Sequence, residues 1–369
     1  MNWAIVELYC GESGKLGYYN SQELGLARAL ALKNINVIIV YPDREKKEQM
    51  LEEVEEHICI LRVPCKTFGV HAFYDLGFLL EGEIDVVHLD SDNQMFAPTV
   101  ASFCKKHDIF FYHYIGTVYS DTKNRLKGYI MKYVSFRNIL CFRKSPVIVK
   151  TQAVRRCLEE RKVRKIEVIP VGLDITQIEK DNRDQKTVCR ELGLPVDKQI
   201  LLFVGRLEEY KRPFAALELL KHLGNSYFLV IIGDGSLKGE LKDRIYKEGL
   251  EEQIFYLERV PNTLMYQYYK ACDYYINFNT HEIFGMSILE AMYQGCTTVA
   301  RRAPGPEEII EDGVSGYLCS SDEEMRKVIV ADKNSDIGKQ AEQRIASSFT
   351  WDKSAERILQ FVNNRRSKG

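Results

Sequence analysis

A chain of 369 residues, 45% of them hydrophobic and 28% charged, is long enough for about two globular domains and too apolar for a disordered protein. Its 51 Lys and Arg residues against 52 Asp and Glu give a formal net charge of −1, which excludes a surface built as a whole for nucleic acid. No run approaches the roughly 18 apolar residues of a membrane span, and no leader pattern is visible. The ten cysteines show no metal-binding spacing, so we predict a cytoplasmic protein with reduced thiols and no metal.

Short apolar runs rich in β-branched residues alternate with longer helical patterns along the chain. The first half has predicted strands at 3–8, 37–41, 58–63, 85–89, 109–114 and 147–150. The second half has them at 200–204, 228–232, 254–257, 274–278 and 297–300. This order predicts an α/β protein with a parallel sheet in each half and helices on both faces. A strand that ends in a turn near 172, followed by a polar stretch at 179–184, predicts the domain boundary.

A glycine-rich segment, 10–17, follows the first predicted strand and precedes a helical pattern. Backbone amides in such a turn can approach a phosphate at a helix N-terminus. The spacing does not fit a nucleotide-hydrolase phosphate loop, because Leu16 replaces the Ser or Thr that would hold magnesium. A plain strand-to-helix turn is the alternative.

A second motif, Gly205-Arg206-Leu207 with Lys211, follows the first strand of the second half. Open parallel sheets bind ligands at this end of their strands, where Arg206 and Lys211 could clasp a diphosphate. Solvated basic residues are the alternative. Gly233-Asp234-Gly235 resembles a dinucleotide turn, but the next glycine is one residue too far along.

A third motif contains Glu282 and Glu290, eight residues apart, with Phe284-Gly285 between them. Eight steps of about 100° leave two positions of one helix roughly 80° from alignment, so a shared pocket requires Glu282 before the helix and Glu290 within it. Gly285 could provide the break between the loop that contains Glu282 and the helix that contains Glu290. The amides near Phe284 and Gly285 would then face an anion, with the glutamates accepting hydroxyl groups on either side. Solvated glutamates on an amphipathic helix are the alternative.

Together these residues resemble the GT-B glycosyltransferases of family 4, the retaining glycosyl transferases group 1 that use nucleotide sugars. The resemblance is specific over 170–362 and looser before that. It also includes Ile169 to Asp174, Pro304-Gly305, Gly313 to Leu318 and Phe349-Thr350-Trp351. It implies two Rossmann-like domains facing a cleft: an acceptor-side domain, 1–172, joined by a returning C-terminal helix, 352–366, and a donor-binding domain, 173–351.

The resemblance also implies roles for individual residues. Glu290 should hold the ribose hydroxyls, Glu282 the transferred sugar, and Gly17, Gly205, Arg206, Lys211, Phe284 and Gly285 the donor. One glycine of the family's first loop is replaced by Tyr18. His113 falls at a predicted strand end where the family often places a histidine beside the sugar, and a hydrogen-bonded structural histidine is its alternative. No Asp-x-Asp motif is present, so we predict metal-independent transfer from a UDP- or GDP-sugar without a further cofactor.

The segment 122–165 contains 14 basic and two acidic residues, a net charge of +12, whereas residues 1–121 carry 10 basic and 18 acidic residues, a net charge of −8. Its apolar residues share one arc of a predicted helix: Leu126, Tyr129, Ile130, Tyr133, Phe136 and Leu140. One interpretation is a helix on an anionic membrane, contacting lipid through Lys123, Arg125, Lys127 and Lys132. The other is a stripe packed on the domain's own sheet.

We therefore predict a glycosyltransferase that acts on a glycan or lipid-linked acceptor in cell-surface polysaccharide synthesis, at the inner face of the membrane if the helix binds lipid. A non-catalytic nucleotide-sugar-binding protein and a sugar-nucleotide epimerase are the alternatives. An oxidoreductase is disfavoured by the glycine spacing at Gly233.

Overall fold

The computed structural model describes residues 1–10, 22–118, 125–332 and 336–367. The chain forms two compact units, Met1–Gly172 with Trp351–Gly369, and Leu173–Thr350. Each unit is built on a predominantly parallel sheet with helices in its connections, so the predicted α/β fold is confirmed. Below, the units are called unit 1 and unit 2 in that order.

The main sheet of unit 1 has the strand order β10-β9-β8-β7-β1-β2-β4-β3. All neighbours are parallel except β3 and β4. A separate hairpin consists of β5 and β6. The strands are β1 Asn2–Val6, β2 Asn36–Asp43, β3 Met50–Glu55, β4 Ile58–Pro64, β5 Lys66–Phe68, β6 His71–Phe73, β7 Val86–Asp90, β8 Phe110–Ile115, β9 Val147–Val149 and β10 Ile166–Val168.

Connections in unit 1 contain the helices α1 Gln22–Ala31, α2 Phe78–Glu81, α3 Ala97–Lys106, α4 Arg125–Phe142 and α5 Gln152–Glu160. The central strand β1 is covered on both faces, and its residues Trp3 to Val6 are fully buried. Such burial gives the continuous apolar run that made this strand predictable. The edge strand β3 lacks that signal, because it is exposed along nearly its whole length.

The sheet of unit 2 is parallel throughout, with the order β13-β12-β11-β14-β15-β16. Its strands are β11 Gln199–Val204, β12 Tyr227–Ile232, β13 Ile254–Leu257, β14 Tyr274–Asn277, β15 Thr297–Arg301 and β16 Tyr317–Cys319. Its helices are α6 Gln185–Glu191, α7 Pro213–Leu223, α8 Lys238–Lys247, α9 Asn262–Ala271, α10 Met286–Tyr293, α11 Pro304–Ile309, α12 Asp322–Ala331 and α13 Ile337–Ser348. The chain proceeds outward from β11 to β13 and returns to the other side of β11 as β14. The strand order therefore reverses between β11 and β14, where open α/β sheets form a ligand crevice.

The terminal helix α14, Trp351–Arg366, belongs to unit 1, as the family resemblance implies. Its first residue packs on α1 so closely that a Cβ atom at Gly25 would lie 2.2 Å from Trp351 Cδ1. Ser354 Oγ donates to the carbonyl of Pro170 at 2.8 Å, and the Phe361 ring lies edge-on to Tyr112. The helix thus closes one face of the first sheet.

Candidate functional site

The loops that leave β11 and β14 lie on either side of the crevice in unit 2. After β11 come Gly205, Arg206 and a short 3-10 helix, Glu209–Lys211. After β14 the chain runs through Glu282 before α10 begins. Parallel strands place their carboxyl ends on one edge of the sheet, so these two loops become neighbours although their residues are about seventy positions apart.

Lys211 and Glu282 form an ion pair in this crevice. Lys211 Nζ donates to Glu282 Oε2 at 2.6 Å, and the side chains are 18% and 12% exposed. The same oxygen accepts from Asn279 Nδ2 at 3.2 Å and from Asn277 Nδ2 at 3.4 Å. The backbone N–H of Asn279 donates to Asn277 Oδ1, which fixes the turn between them. The described residues supply no donor to Glu282 Oε1, so one carboxylate oxygen is held in position with a free acceptor capacity.

Arg206 is exposed beside this pair. Its guanidinium lies 5.6 Å from the centre of the Tyr210 ring, and Lys211 Nζ lies at the same distance from that ring. In the described part of the chain no carboxylate or carbonyl accepts a hydrogen bond from Arg206. Its planar set of donors is therefore available to an anion, as the sequence interpretation required.

Gly285 makes the break that the glutamate spacing predicts. It has a φ of +104°, a conformation that L-residues with a side chain rarely adopt, and α10 begins at the next residue. Glu282 consequently lies on the loop and Glu290 in the helix. The carbonyl of Glu282 accepts from the N–H of Gly305, and a Cβ atom at Gly305 would lie 2.0 Å from the carbonyl oxygen of Phe284. Glycine at this position is thus required for α11 to support the loop.

Glu290 is more enclosed than a solvated carboxylate, with only 2% of the residue exposed. Tyr269 OH donates to Glu290 Oε2 at 2.8 Å. On the next turn, Tyr275 OH and Ser287 Oγ are 2.7 Å apart at the start of α10. The solvated-helix alternative is therefore excluded for Glu290. Tyr269, Tyr275, Asn277 and Asn279 were not identified from the sequence, because no spacing signal marks them.

Gly233 and Gly235 allow the loop after β12 to pack closely against the loop after β11. A Cβ atom at Gly233 would lie 1.9 Å from the carbonyl oxygen of Gly205, and one at Gly235 would lie 2.5 Å from that of Leu207. The loops after β11 and β12 can approach this closely only because both residues lack side chains. This close packing of the two loops explains why glycines occur here at a spacing that resembles a dinucleotide turn.

His113 has the environment of a hydrogen-bonded structural histidine, which was the alternative to a sugar-binding role. It lies within β8, is fully buried, and has aromatic neighbours in Phe111 and Phe142. Ser91 Oγ donates to a backbone carbonyl, so His113 Nδ1–H donates to Ser91 at 2.8 Å, and Nε2 faces the Cys141 thiol at 3.6 Å. Burial, and to a smaller extent the charge of Lys105, lowers the pKa of His113 to about 3. The enclosed ring, with both nitrogens facing protein groups, fits the structural alternative for His113, and its contact with a sugar stays a prediction.

The apolar arc of α4 faces outward. Tyr129, Tyr133, Phe136 and Leu140 are 68%, 64%, 57% and 40% exposed, whereas Val134 and Asn138 on the opposite side are buried. The expectation of a stripe packed on the domain's own sheet is therefore wrong. The helix contains no acidic residue, and Lys132 Nζ lies 5.6 Å from the Tyr129 ring centre.

Several residues of the sequence interpretation have no described side chain, among them Leu16, Tyr18 and Leu126. Gly17 and Lys123 lie outside the described residues, and Arg125 is described by its helical backbone alone. None of the helices in the described part of the chain combines the length and hydropathy of a membrane span.

Comparison with known proteins matches residues 184–344 to the family model described as glycosyl transferases group 1. A D-inositol 3-phosphate glycosyltransferase from Xylanimonas cellulosilytica is 28% identical over 209 residues, which are 53% of this chain and 50% of that protein. An alpha-monoglucosyldiacylglycerol synthase from Streptococcus pneumoniae is 27% identical over 50% of this chain and 43% of its own length. The chain spans about half the length of the curated relatives it matches.

Solved structures share the fold over nearly the whole chain. Sucrose-phosphate synthase from Thermosynechococcus elongatus matches with a TM-score of 0.78 at 16% identity and covers 100% of both chains. Anabaena HepE in complex with UDP and glucose matches with a TM-score of 0.73 at 19% identity, over 99% of this chain and 100% of that one. The unit that holds the Lys211–Glu282 pair therefore matches the glycosyl transferases group 1 over residues 184–344, and the chain as a whole has the GT-B fold of these structures.

Proposed function

We propose that the chain transfers a sugar from a nucleoside diphosphate sugar to a hydroxyl acceptor. The observation that carries this proposal is the Lys211–Glu282 pair at the point where the strand order of unit 2 reverses. The pair offers a cation for a diphosphate and a carboxylate for sugar hydroxyls within one crevice. The group 1 match of residues 184–344 and the UDP named in the HepE structures support the same donor chemistry.

In the proposed reaction, the bond between the anomeric carbon and the diphosphate oxygen breaks, and the diphosphate keeps the electron pair. Arg206, Lys211 and the N-terminal amides of α10 would stabilise the negative charge that develops there. Lys211 has three protons on Nζ, so it can donate to Glu282 and to a phosphate oxygen at the same time. These three groups supply the positive charge that a bridging metal would otherwise supply, and we infer transfer without one.

Glu282 Oε1 is the group that would accept hydrogen bonds from the transferred sugar, because Oε2 is already occupied by Lys211 and two asparagines. Glu290, oriented by Tyr269, would hold the ribose. We infer retention of the anomeric configuration, which requires the acceptor to attack the face that the diphosphate leaves. The acceptor proton would then pass to the nearby diphosphate oxygen as the new glycosidic bond forms.

The outward face of α4 supports an acceptor at a lipid surface. Around the helix, exposed Lys132 and Arg137 flank the aromatic stripe of Tyr133 and Phe136 on either side, and exposed Lys144 follows the end of the helix. Aromatic side chains inserted between basic residues are typical of helices that lie on anionic membranes. The name of the pneumococcal relative contains a diacylglycerol lipid, which is consistent with a lipid-linked acceptor. We infer peripheral membrane binding from the cytoplasmic side and a role in cell-surface glycan synthesis.

The proposal is tested by incubating the protein with UDP- and GDP-sugars and measuring nucleotide release with and without candidate acceptors. We expect slow hydrolysis of one donor alone and faster release when an acceptor is added. Lys211→Ala should abolish both, whereas Lys242→Ala, which removes another ion-paired lysine of unit 2, should not. An epimerised sugar nucleotide formed without acceptor, or binding without any turnover, would contradict the proposal.

A further inference from the structure

Lys211 is followed by a residue with an unusual backbone conformation. Arg212 has a φ of +56° and a ψ of +52°, in the left-handed region that residues with a Cβ atom enter only at a cost. It lies between the 3-10 helix Glu209–Lys211 and α7, whose first residue is Pro213. A proline disfavours the right-handed helical conformation at the residue before it, so the 3-10 helix and α7 cannot continue as one helix.

The turn at Arg212 joins Lys211 to α7. The backbone N–H of Lys211 donates to the carbonyl of Glu208 at 3.0 Å, and that of Arg212 donates to the carbonyl of Glu209 at 3.1 Å. The carbonyl of Arg212 accepts from the N–H of Ala215 in the first turn of α7. The dihedral angles of Arg212 therefore set the angle between the short helix that carries Lys211 and α7. They also set the direction in which the Lys211 side chain leaves the backbone.

The side chain of Arg212 is held by both oxygens of one carboxylate. Arg212 Nη1 donates to Asp322 Oδ1 at 3.0 Å, and Nη2 donates to Oδ2 at 2.6 Å. Such a paired contact matches the planar donors of a guanidinium to the two carboxylate oxygens and fixes the orientation of both groups. The guanidinium also lies 6.0 Å from the ring centre of Phe278, a fully buried residue that follows β14. Arg212 is thus anchored by its side chain as well as by its backbone.

Asp322 is itself fixed in position. It is the first residue of α12, and Arg301 at the end of β15 also donates to its Oδ1. Arg301 is oriented in turn by the carbonyl of Ser320, which accepts from Nη2 at 2.7 Å. Burial alone would raise the pKa of the Asp322 carboxyl, but Arg212 and Arg301 outweigh it and lower that pKa. The carboxylate is therefore ionised near neutral pH, and it connects Arg212 to β15, the neighbour of β14.

The Arg212–Asp322 pair differs from a typical ion pair at a surface. Exposed pairs usually contribute little, because solvent screens the charges and ordering two long side chains costs entropy. Here the two side chains are 37% and 38% exposed, but their contact is bidentate, and the carboxylate is shared with Arg301, whose side chain is only 16% exposed. A pair of this kind has a strength comparable with the cost of one left-handed residue.

We infer that Arg212 is a positioning residue, because its contact with Asp322 holds the left-handed turn that directs Lys211 toward Glu282 and the diphosphate. In this assignment Arg212 does not touch the diphosphate and acts through Lys211 alone. A glycine at this position would adopt the same turn without the contact to Asp322, since it lacks a Cβ atom. The inference rests on the proposed function, in which the ligand of Lys211 is the diphosphate of the donor.

The first experiment compares two substitutions of Arg212 by the affinity for inorganic diphosphate, measured by calorimetry. Arg212→Ala removes the contact with Asp322 but keeps a Cβ atom, so we expect the affinity to fall by about tenfold. Arg212→Gly removes both and should stay within about threefold of the wild type. Equal losses in the two variants would show that the guanidinium itself binds the phosphate and would overturn the inference. Wild-type affinity in Arg212→Ala would overturn it as well.

The second experiment tests the partners of Arg212. Asp322→Ala should lose as much affinity as Arg212→Ala does, and it should have no effect when combined with Arg212→Gly. Glu323→Ala is the matched control, because Glu323 is the next residue of α12 and also accepts a bidentate contact, from Arg326. In a protein that carries Lys211→Ala, Arg212→Ala should cause no further loss. A further loss of about tenfold there would show that Arg212 acts independently of Lys211 and would overturn the inference.

The third experiment needs no ligand. In a crystal structure of Asp322→Ala, Arg212 should leave the left-handed region, and Lys211 Nζ should lie more than about 4 Å from Glu282 Oε2. In Arg212→Gly, the turn and the Lys211–Glu282 pair should both be kept. An unchanged turn and pair in Asp322→Ala would overturn the inference. A wild type that binds no diphosphate would instead contradict the proposed function, and these structures would still decide the role of Arg212.

Discussion

Lys211 and Glu282 lie on loops that leave adjacent parallel strands, and Lys211 Nζ is 2.6 Å from Glu282 Oε2. Each charge is only partly exposed, so removing one partner leaves the other in a site that penalises an isolated charge. The pair therefore positions both groups before any ligand arrives. Such fixed orientation is what allows charged groups to stabilise a developing charge without a reorganisation cost.

The first prediction concerns Glu282. Glu282→Gln keeps the size of the side chain and an acceptor oxygen but removes the charge next to Lys211. We expect kcat to fall by about 100-fold or more while the affinity for the free nucleotide changes by less than about threefold, because the interaction with the sugar is strongest in the transition state. Turnover and nucleotide binding are measured separately. Equal losses in both, or wild-type transfer, would remove Glu282 from the sugar site; Glu240→Gln on the surface of α8 is the control.

The second prediction concerns Tyr269, which we treat as a positioning residue for Glu290. Tyr269→Phe removes the hydroxyl that donates to Glu290 Oε2 and should weaken the binding of a nucleoside diphosphate by about tenfold. Inorganic diphosphate has no ribose, so its inhibition constant should stay unchanged. Competition assays with both ligands provide the measurement. A parallel loss for both ligands indicates a purely structural role, and Tyr246→Phe on exposed α8 serves as the control.

The spacing of the glutamates could be read from the sequence because helical geometry is periodic. Eight residues cannot align on one helix, which required a break, and Gly285 provides it with a φ of +104°. Asn277 and Asn279 could not be found in this way. They reach Glu282 through the turn after β14, and no periodic pattern specifies which side chains of a turn point toward a carboxylate.

The first half of the chain was harder to interpret for three physical reasons. The strand β3 is an exposed edge, so it has no apolar run, and its pairing with β4 depends on backbone hydrogen bonds. His113 lies in a strand that is buried on both faces, so no alternation marks which side chains are enclosed, and its neighbour Cys141 comes from α4. Glu7 and Asp90 are far apart in sequence, and the strand order, with β1 next to β7, brings them together.

The third prediction follows from the burial of His113, whose pKa is lowered to about 3. Between that value and the ordinary pKa of about 6.5, the unfolded chain binds a proton that the folded chain does not, so the stability is lost as the pH falls. From pH 7.5 to pH 5.0 we expect the wild type to lose up to about 2 kcal/mol more than His113→Gln, which does not titrate. Chemical denaturation at the two pH values measures this difference. Identical pH sensitivity of the two proteins would show that the pKa of His113 is the same in the folded and unfolded chains.

The fourth prediction concerns metal ions. In the proposed reaction Arg206, Lys211 and the start of α10 would supply the charge for the leaving diphosphate, so transfer should keep its rate in EDTA. In contrast, Arg206→Lys should lower kcat/KM by about tenfold or more, because a point charge replaces a planar set of donors. The measurement is nucleotide release in the presence of EDTA and after addition of magnesium. A complete loss of activity that magnesium restores would show that a metal shares this role.

The last prediction tests the outward face of α4. If α4 binds a membrane, Tyr133 and Phe136 would insert into the interface and the flanking basic residues would contact anionic headgroups, each such charge contributing about 1 kcal/mol. We expect the protein to sediment with vesicles that contain phosphatidylglycerol but not with pure phosphatidylcholine vesicles, and less so as salt is raised.

Tyr133→Ser with Phe136→Ser should reduce this binding by about tenfold or more, and neutralising Lys127 together with Lys132 should do the same. Tyr246→Ser, at a residue of unit 2 that is 76% exposed, is the matched control for lost apolar surface and should bind as the wild type does. If binding depended on charge alone, the aromatic variants would bind normally. If neither set of variants weakened binding, α4 would not be the membrane face, and the exposed stripe would require a protein partner in place of a lipid surface.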